Sequence, residues 1–375
     1  MKCLIYQSVL TFICGCLMAT AGLADSAFRV GVIAPLSGAL AEYGLAARNG
    51  IELARTQNPQ LFESVRFQYE DSQWDAKSAV SAFSRLTTSW EANIVFNWGN
   101  PTTEALAPVA EQRKVPLIGM TLDPRVARGK RYVVRSTNSS ADFSAALASH
   151  LRARGYRKLG VVIVENTYVQ GLFDGLKRAL GDEIEIKEID RYNLGDQDFR
   201  TSIAKIRADG YDAIGVFLIT GQVSNFYRQL SAQGVALPSF GTDFFESSTE
   251  IRLAGGGMNH AVYPHLGITD SFRTSYVAAF GNDYQIAYAG NAYDMAVMLG
   301  QLFNKVVPPP NADQIMTRIR SVQNRNGIGG TFSFVDSEED GPHFHFPVQV
   351  KQVSGESIQV LTLDNKRLDG NATRD

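Results

Sequence analysis

Loops that follow apolar runs carry the residues that could recognise a small molecule. Asn97-Trp98-Gly99-Asn100-Pro101-Thr102-Thr103 follows an apolar run, Ile94–Phe96, and precedes a helical pattern. Asn100 and Thr102 therefore stand where the first N–H groups of a helix lack partners, which suits an anion such as a carboxylate. Plain helix capping by Asn100 or Thr102 is the alternative. Gly119-Met120-Thr121 follows the next apolar run, and the Thr121 hydroxyl could join the same anion or serve a turn. Leu36–Tyr43 mixes Ser37, Gly38 and Tyr43 in a length that suits a pocket wall. Tyr43, Trp98, Tyr168 and Phe244 all fall in or beside such loops, although aromatic residues more often belong to a core. His343 and His345, two apart on one strand face, could offer two metal ligands, or simply form a polar strand face.

Catalytic signatures are absent. There is no Gly-x-x-x-x-Gly-Lys-Ser/Thr, no Gly-x-Gly-x-x-Gly opening a helix, no Gly-x-Ser-x-Gly and no His-Glu-x-x-His. No nucleophile–base pair recommends an enzyme, and no cofactor is expected.

The elements that position these loops alternate. Val30–Ile33, Val65–Tyr69, Ile94–Phe96, Leu117–Ile118 and Tyr132–Arg135 read as strands, with helices from Tyr43, over Ala76–Glu91 and over Thr102–Arg113. A second run opens after Asn138-Ser139-Ser140: helix, then strands Leu159–Val164, Ile184–Ile189, Ala213–Leu218 and Ser239–Gly241 around helices Val169–Leu180, Phe199–Ala208 and Val223–Gln233. Strand Ala261–Pro264 and helices Phe272–Phe280 and Ala289–Asn304 follow. Pro308-Pro309-Pro310 reads as a linker, and Gly330–Val335 with His343–Val350 as a hairpin. Such alternation predicts an α/β protein of two doubly wound parallel-sheet lobes, with ligands at the carboxyl ends of the strands.

Pro35-Leu36-Ser37-Gly38, Tyr43-Gly44 and Gly50-Ile51-Glu52-Leu53-Ala54 open a wider pattern. It continues with Glu70-Asp71, Pro116-Leu117-Ile118-Gly119, Tyr168-Val169-Gln170-Gly171, Asp198-Phe199, Asp212-Ala213-Ile214 and Tyr293-Asp294. In this order the chain resembles the type I periplasmic solute-binding proteins, and within them the branched-chain amino-acid-binding family of ABC importers. The resemblance implies lobes 25–140 with 264–345 and 141–263 with 346–375, joined by a three-segment hinge. It implies that Asn100, Gly119 and Thr121 hold a ligand carboxylate, with Asn100 where relatives carry a serine. Tyr168 would stack on the ligand and Asp243 would take its ammonium group; Asp243 as a helix cap is the other reading of that loop. Thr220 stands where relatives supply another aromatic residue. Together Ser37, Tyr43, Trp98, Asn100, Thr102, Gly119, Thr121, Tyr168, Thr220 and Asp243 make the expected site.

The chain has 375 residues, with 36 basic and 38 acidic side chains. Residues 1–24 read as a cleaved secretory signal, with Gly22-Leu23-Ala24 at the cut. An uncleaved anchor and lipidation at Cys16 are the alternatives. Cys3, Cys14 and Cys16 all lie in this segment, so the mature chain has no thiol. Losing Lys2 leaves 35 basic against 38 acidic residues, which gives no argument for nucleic acid or for a membrane surface. The expected protein is a periplasmic monomer that binds an amino acid or related carboxylate or amide and docks on an ABC permease. A periplasmic ligand sensor that signals to a kinase or regulator is the rival.

Overall fold

In a computed structural model, residues 27–38 and 40–361 are described. The expected signal segment with its three cysteines, and the tail from Gly370, lie outside them.

The first run is β1 (Phe28–Ala34), α1 (Ala41–Gln57), β2 (Val65–Asp71), α2 (Ala76–Ser84), β3 (Ile94–Trp98), α3 (Asn100–Arg113), β4 (Leu117–Met120) and β5 (Val133–Arg135). The second is α4 (Ser140–Ala153), β6 (Lys158–Val164), α5 (Thr167–Leu180), β7 (Glu185–Tyr192), α6 (Arg200–Asp209), β8 (Ala213–Phe217), α7 (Gln222–Ala232), β9 (Ser239–Gly241), α8 (Ser248–Leu253) and β10 (Val262–Leu266). Then come α9 (Asp270–Phe280), α10 (Ile286–Phe303), α11 (Ala312–Arg320), β11 (Arg325–Gly327), β12 (Gly330–Ser337), β13 (Gly341–His345), β14 (Val348–Ser354) and β15 (Ser357–Val360).

Two sheets result. One runs β11-β12-β13-β5-β4-β3-β1-β2 and the other β15-β14-β10-β9-β8-β6-β7. The strands β2-β1-β3-β4-β5 and β7-β6-β8-β9-β10 are parallel throughout. Both follow the same order, so the winding reverses between β1 and β3 in one sheet and between β6 and β8 in the other. Helices cover both faces, which is why β3 and β8 are buried at every residue and read as continuous apolar runs. The edge strand β7 is instead dotted with exposed charge, which discourages pairing with another chain.

The antiparallel strands arise late in the chain. β12 and β13 form the expected hairpin beside β5. Its second limb does not run to Val350, however. Pro347, which lacks an amide donor, ends it, and β14 pairs with β10 in the other sheet. The Pro-rich linker is likewise followed by a helix that periodicity alone did not reveal. Asn311 and Gln314 cap α11 reciprocally, a signal available in the sequence.

The chain passes between sheets at Ser136–Ser139, Gly267–Thr269 and Phe346-Pro347. The expected return at 264 falls inside β10, whose Val262–Leu266 pair with the second sheet along their length. Asn138 ties two of these crossings: its Nδ2 donates to the Phe346 carbonyl at 3.0 Å, and its Oδ1 accepts from the Phe346 amide at 2.9 Å. Asn291 of α10 donates to the Ser136 carbonyl at 2.8 Å.

α1 packs directly on α10. A Cβ at Gly50 would stand 2.0 Å from the Ala289 carbonyl oxygen, so only glycine permits this approach. That contact seats Tyr43 of α1 and Tyr288 of α10 side by side, with ring centroids 5.9 Å apart.

Candidate ligand-binding cleft

Between the carboxyl ends of the two sheets lies a cavity of about 410 Å³. Tyr43, Trp98, Asn100 and Thr121 line it from the first sheet's side, and Tyr168, Thr220 and Asp243 from the second's. Seven of the ten expected residues are thus brought together. A larger charged cleft of about 700 Å³ adjoins it and shares Asn100, Leu122, Asn166 and Tyr168.

The other three stand behind the wall. The Ser37 hydroxyl donates to Asp71 Oδ2 at 2.5 Å, closing the loop after β1. Thr102 is fully buried; its hydroxyl accepts from Asn97 Nδ2 at 3.0 Å and donates to the Gly99 carbonyl at 3.2 Å. Gly119 lies under α3, where a Cβ would meet Thr103 Cγ2 at 2.3 Å. The small residue there is a packing requirement.

Gly99 turns β3 into α3 at φ +119°, a conformation that side-chain-bearing residues rarely adopt. Its missing Cβ also makes room for Trp74, whose ring atom would otherwise be 2.5 Å away. Trp74 in turn packs against Trp98, with ring centroids 5.3 Å apart and planes tilted by 46°. Asn100 opens α3 and accepts a hydrogen bond from the Thr121 hydroxyl. The indole N–H of Trp98 and the hydroxyl of Thr137, both on lining residues, are buried without a partner in the protein. Buried donors are seldom left unpaired, and a bound ligand would supply the acceptor.

On the far side Asp243 is 3 % exposed. Its Oδ1 accepts from the Tyr168 hydroxyl and its Oδ2 from the Tyr288 hydroxyl. Burial first, and then the Asp243 charge, push both phenols well above their ordinary range, so both remain donors. The cap of the following short turn is Thr242, which accepts from the Phe244 amide, and α8 is capped by Ser247. Asp243 therefore caps neither element.

Tyr43 shares a 3.0 Å hydrogen bond with Thr220 across the cleft, and Glu42 accepts from Ser247 at 3.4 Å. Tyr288 was missed by sequence reasoning, since it lies mid-chain in an apolar helix pattern. Trp74 is likewise absent from the expected site residues. Both stand at the wall, and Trp98 meets Tyr288 edge-on at 5.4 Å.

A sequence model of periplasmic binding proteins matches residues 27–356. The chain belongs to this family. The Leu/Ile/Val-binding protein BraC3 of Rhizobium johnstonii is 25% identical over 322 residues, 81% of this chain and 86% of BraC3. The leucine-binding protein LivK of Thermotoga maritima superposes with a TM-score of 0.78 at 21% identity, covering 89% of this chain and 97% of LivK. A solute-binding protein of an ABC transporter from Rhodopseudomonas palustris, solved with benzoate, has a TM-score of 0.76 at 18% identity, covering 89% and 95%. The family's solute-binding fold accounts for the two lobes, the three crossings and the position of the cavity.

Proposed function

We propose that the protein captures a zwitterionic small molecule, an amino acid with a bulky apolar or aromatic side chain, in the periplasm and presents it to an ABC permease. The observation that carries this reading is the charge pattern of the cavity. Among its described lining residues Asp243 is the one carboxylate, and there is no Lys or Arg. An ammonium on Asp243 makes a charge-assisted hydrogen bond. The ligand carboxylate would then face the opposite lobe, where the Asn100 side-chain amide, the unpaired Trp98 indole and the first turn of α3 provide neutral donors, and the Thr121 hydroxyl joins them by exchanging its bond to Asn100. The aromatic walls leave room for a large side chain between them.

A second reading has support in those same walls. Trp74, Trp98, Tyr43 and Tyr288 would also stack on an aromatic carboxylate, and one relative in structure is solved with benzoate. Such an anion would meet Asp243 with no cation to offset it, which is why the zwitterion is preferred.

A thermal-shift screen separates the two. Amino acids at about 100 times their dissociation constant are expected to add roughly 2.7 kcal/mol to stability. Stabilisation by benzoates and by no amino acid would replace the first reading by the second.

A further inference from the structure

We propose that the crossing region carries a site for a first-row divalent cation of the zinc type, formed by Asp142, His343 and His345. These residues lie outside the ligand cavity. His343 and His345 are two apart on β13, while Asp142 comes from the first turn of α4. One donor atom from each lies within 4.8 Å of the others. Two imidazoles and a carboxylate, with a position left for water, are a common three-ligand zinc set.

The surroundings already orient two of the three ligands. His343 is 2 % exposed, and its Nδ1 lies 2.9 Å from the Gly341 carbonyl oxygen. A carbonyl only accepts, so Nδ1 carries the proton and Nε2 presents its lone pair. A metal-bound histidine usually has this outer hydrogen bond, which fixes the tautomer and the ring. Asp142 uses Oδ2 to accept from the Ser139 amide at 3.0 Å and from its hydroxyl at 3.2 Å. Its other oxygen is not engaged in that capping box. His345 is the adjustable ligand. It is exposed, and its Nδ1 meets the Asn138 Nδ2 at 3.1 Å, a contact that ring rotation exchanges for a metal bond.

The buried Arg135 guanidinium lies near His343 and opposes a cation there, but it donates to the carbonyls of Asn138, at 2.8 Å, and Asp340, at 3.0 Å. The carboxylates of Asp142 and Asp340 act on the same histidine in the favourable sense. The consequence is mechanical. β13 belongs to the first sheet and α4 packs on the second, so a cation bonded to both would brace the crossings against hinge motion.

The test uses the full mature chain, free of any affinity tag and stripped with a chelator, titrated calorimetrically with zinc chloride. One zinc per chain is expected, with affinity reduced at least about tenfold in His345→Ala. Asp142→Asn, which keeps a capping oxygen, is expected to weaken binding likewise. His345 is at the surface, so circular dichroism of His345→Ala is expected to match the parent, and the comparison stands. No zinc uptake by the parent chain, or equal uptake by parent and both variants, would overturn the site.

Discussion

Asp243 concentrates the site's chemistry because two phenols and a cavity converge on one buried carboxylate. If it receives a ligand ammonium, Asp243→Ala strands that cation, at a cost on the order of 2–5 kcal/mol of affinity. The loss should appear in calorimetric titration with the screened ligand, with the unfolding midpoint little changed. Normal affinity in this variant would remove Asp243 from the ligand. At the other end, Thr121→Val retains shape and deletes one hydroxyl that could meet the carboxylate. Its expected loss is about 1.5–3 kcal/mol, as for one hydrogen bond to a charged group. Equal binding by Thr121→Val and parent would leave that hydroxyl serving only Asn100.

At the scale of elements, two buried charges tie strands and helices together and make opposite demands on pH. Asp294 of α10 is 6 % exposed, and both its oxygens accept from the Ile328 amide at 3.0 Å. Burial raises its pKa to about 7, from an unfolded value of 3.8. Between those values the folded chain holds a proton that the unfolded chain has lost. Stability from this group is therefore full below pH 3.8 and is lost as pH rises to about 7. Asp294→Asn keeps an acceptor and removes the charge. Its stability should match the parent's in acid and exceed it increasingly towards neutrality, by on the order of 4 kcal/mol. Parallel melting curves from pH 4 to 8 would refute this.

The second charge behaves the other way. Glu246, in the turn after β9, meets Lys351 of β14 at 2.9 Å, and each is 1 % exposed. Burial works to raise the Glu246 carboxyl, but the Lys351 ammonium, His265 and the Tyr263 hydroxyl together outweigh it and hold the net value below the usual range. Its stabilisation is present above the unfolded pKa and is lost as pH falls through the folded one. Lys351→Met should cost about 3–5 kcal/mol at neutral pH by leaving the carboxylate alone. Adding Glu246→Gln should restore much of that, as denaturant titration would show. No recovery in the double variant would mean that packing, not charge, sets the loss.

For the whole molecule, contacts across the cleft set the balance between open and closed forms. Tyr288 to Asp243 and Tyr43 to Thr220 both join opposite lobes. Ligand adds to these bonds, so a bound form should be selected from the closed population. Tyr43→Phe with Tyr288→Phe should raise the ligand-free radius of gyration in small-angle scattering, and saturating ligand should lower it again. Profiles identical to the parent without ligand would show that these hydroxyls do not hold the lobes together.

The sequence by itself determined the alternation of strands and helices, the two successive runs and seven of the residues that line the cleft. Buried parallel strands are apolar over their whole length, and their loops must carry whatever polar chemistry the lobes share. That made Trp98, Asn100, Thr121 and Tyr168 legible from position alone, and the resemblance to binding proteins supplied Asp243. Only the tertiary structure decided which hydroxyls face the cavity and which hold the wall. Thr102 and Ser37 have the right chemistry, but their hydrogen bonds are taken by Gly99 and Asp71. Tyr288 reaches the site because α10 packs against α1 through Gly50, a long-range approach that no local period encodes. The split of His343–Val350 between two sheets has the same origin. Both limbs alternate like one strand, and partners far away in sequence, β12 and β10, decide where each half pairs.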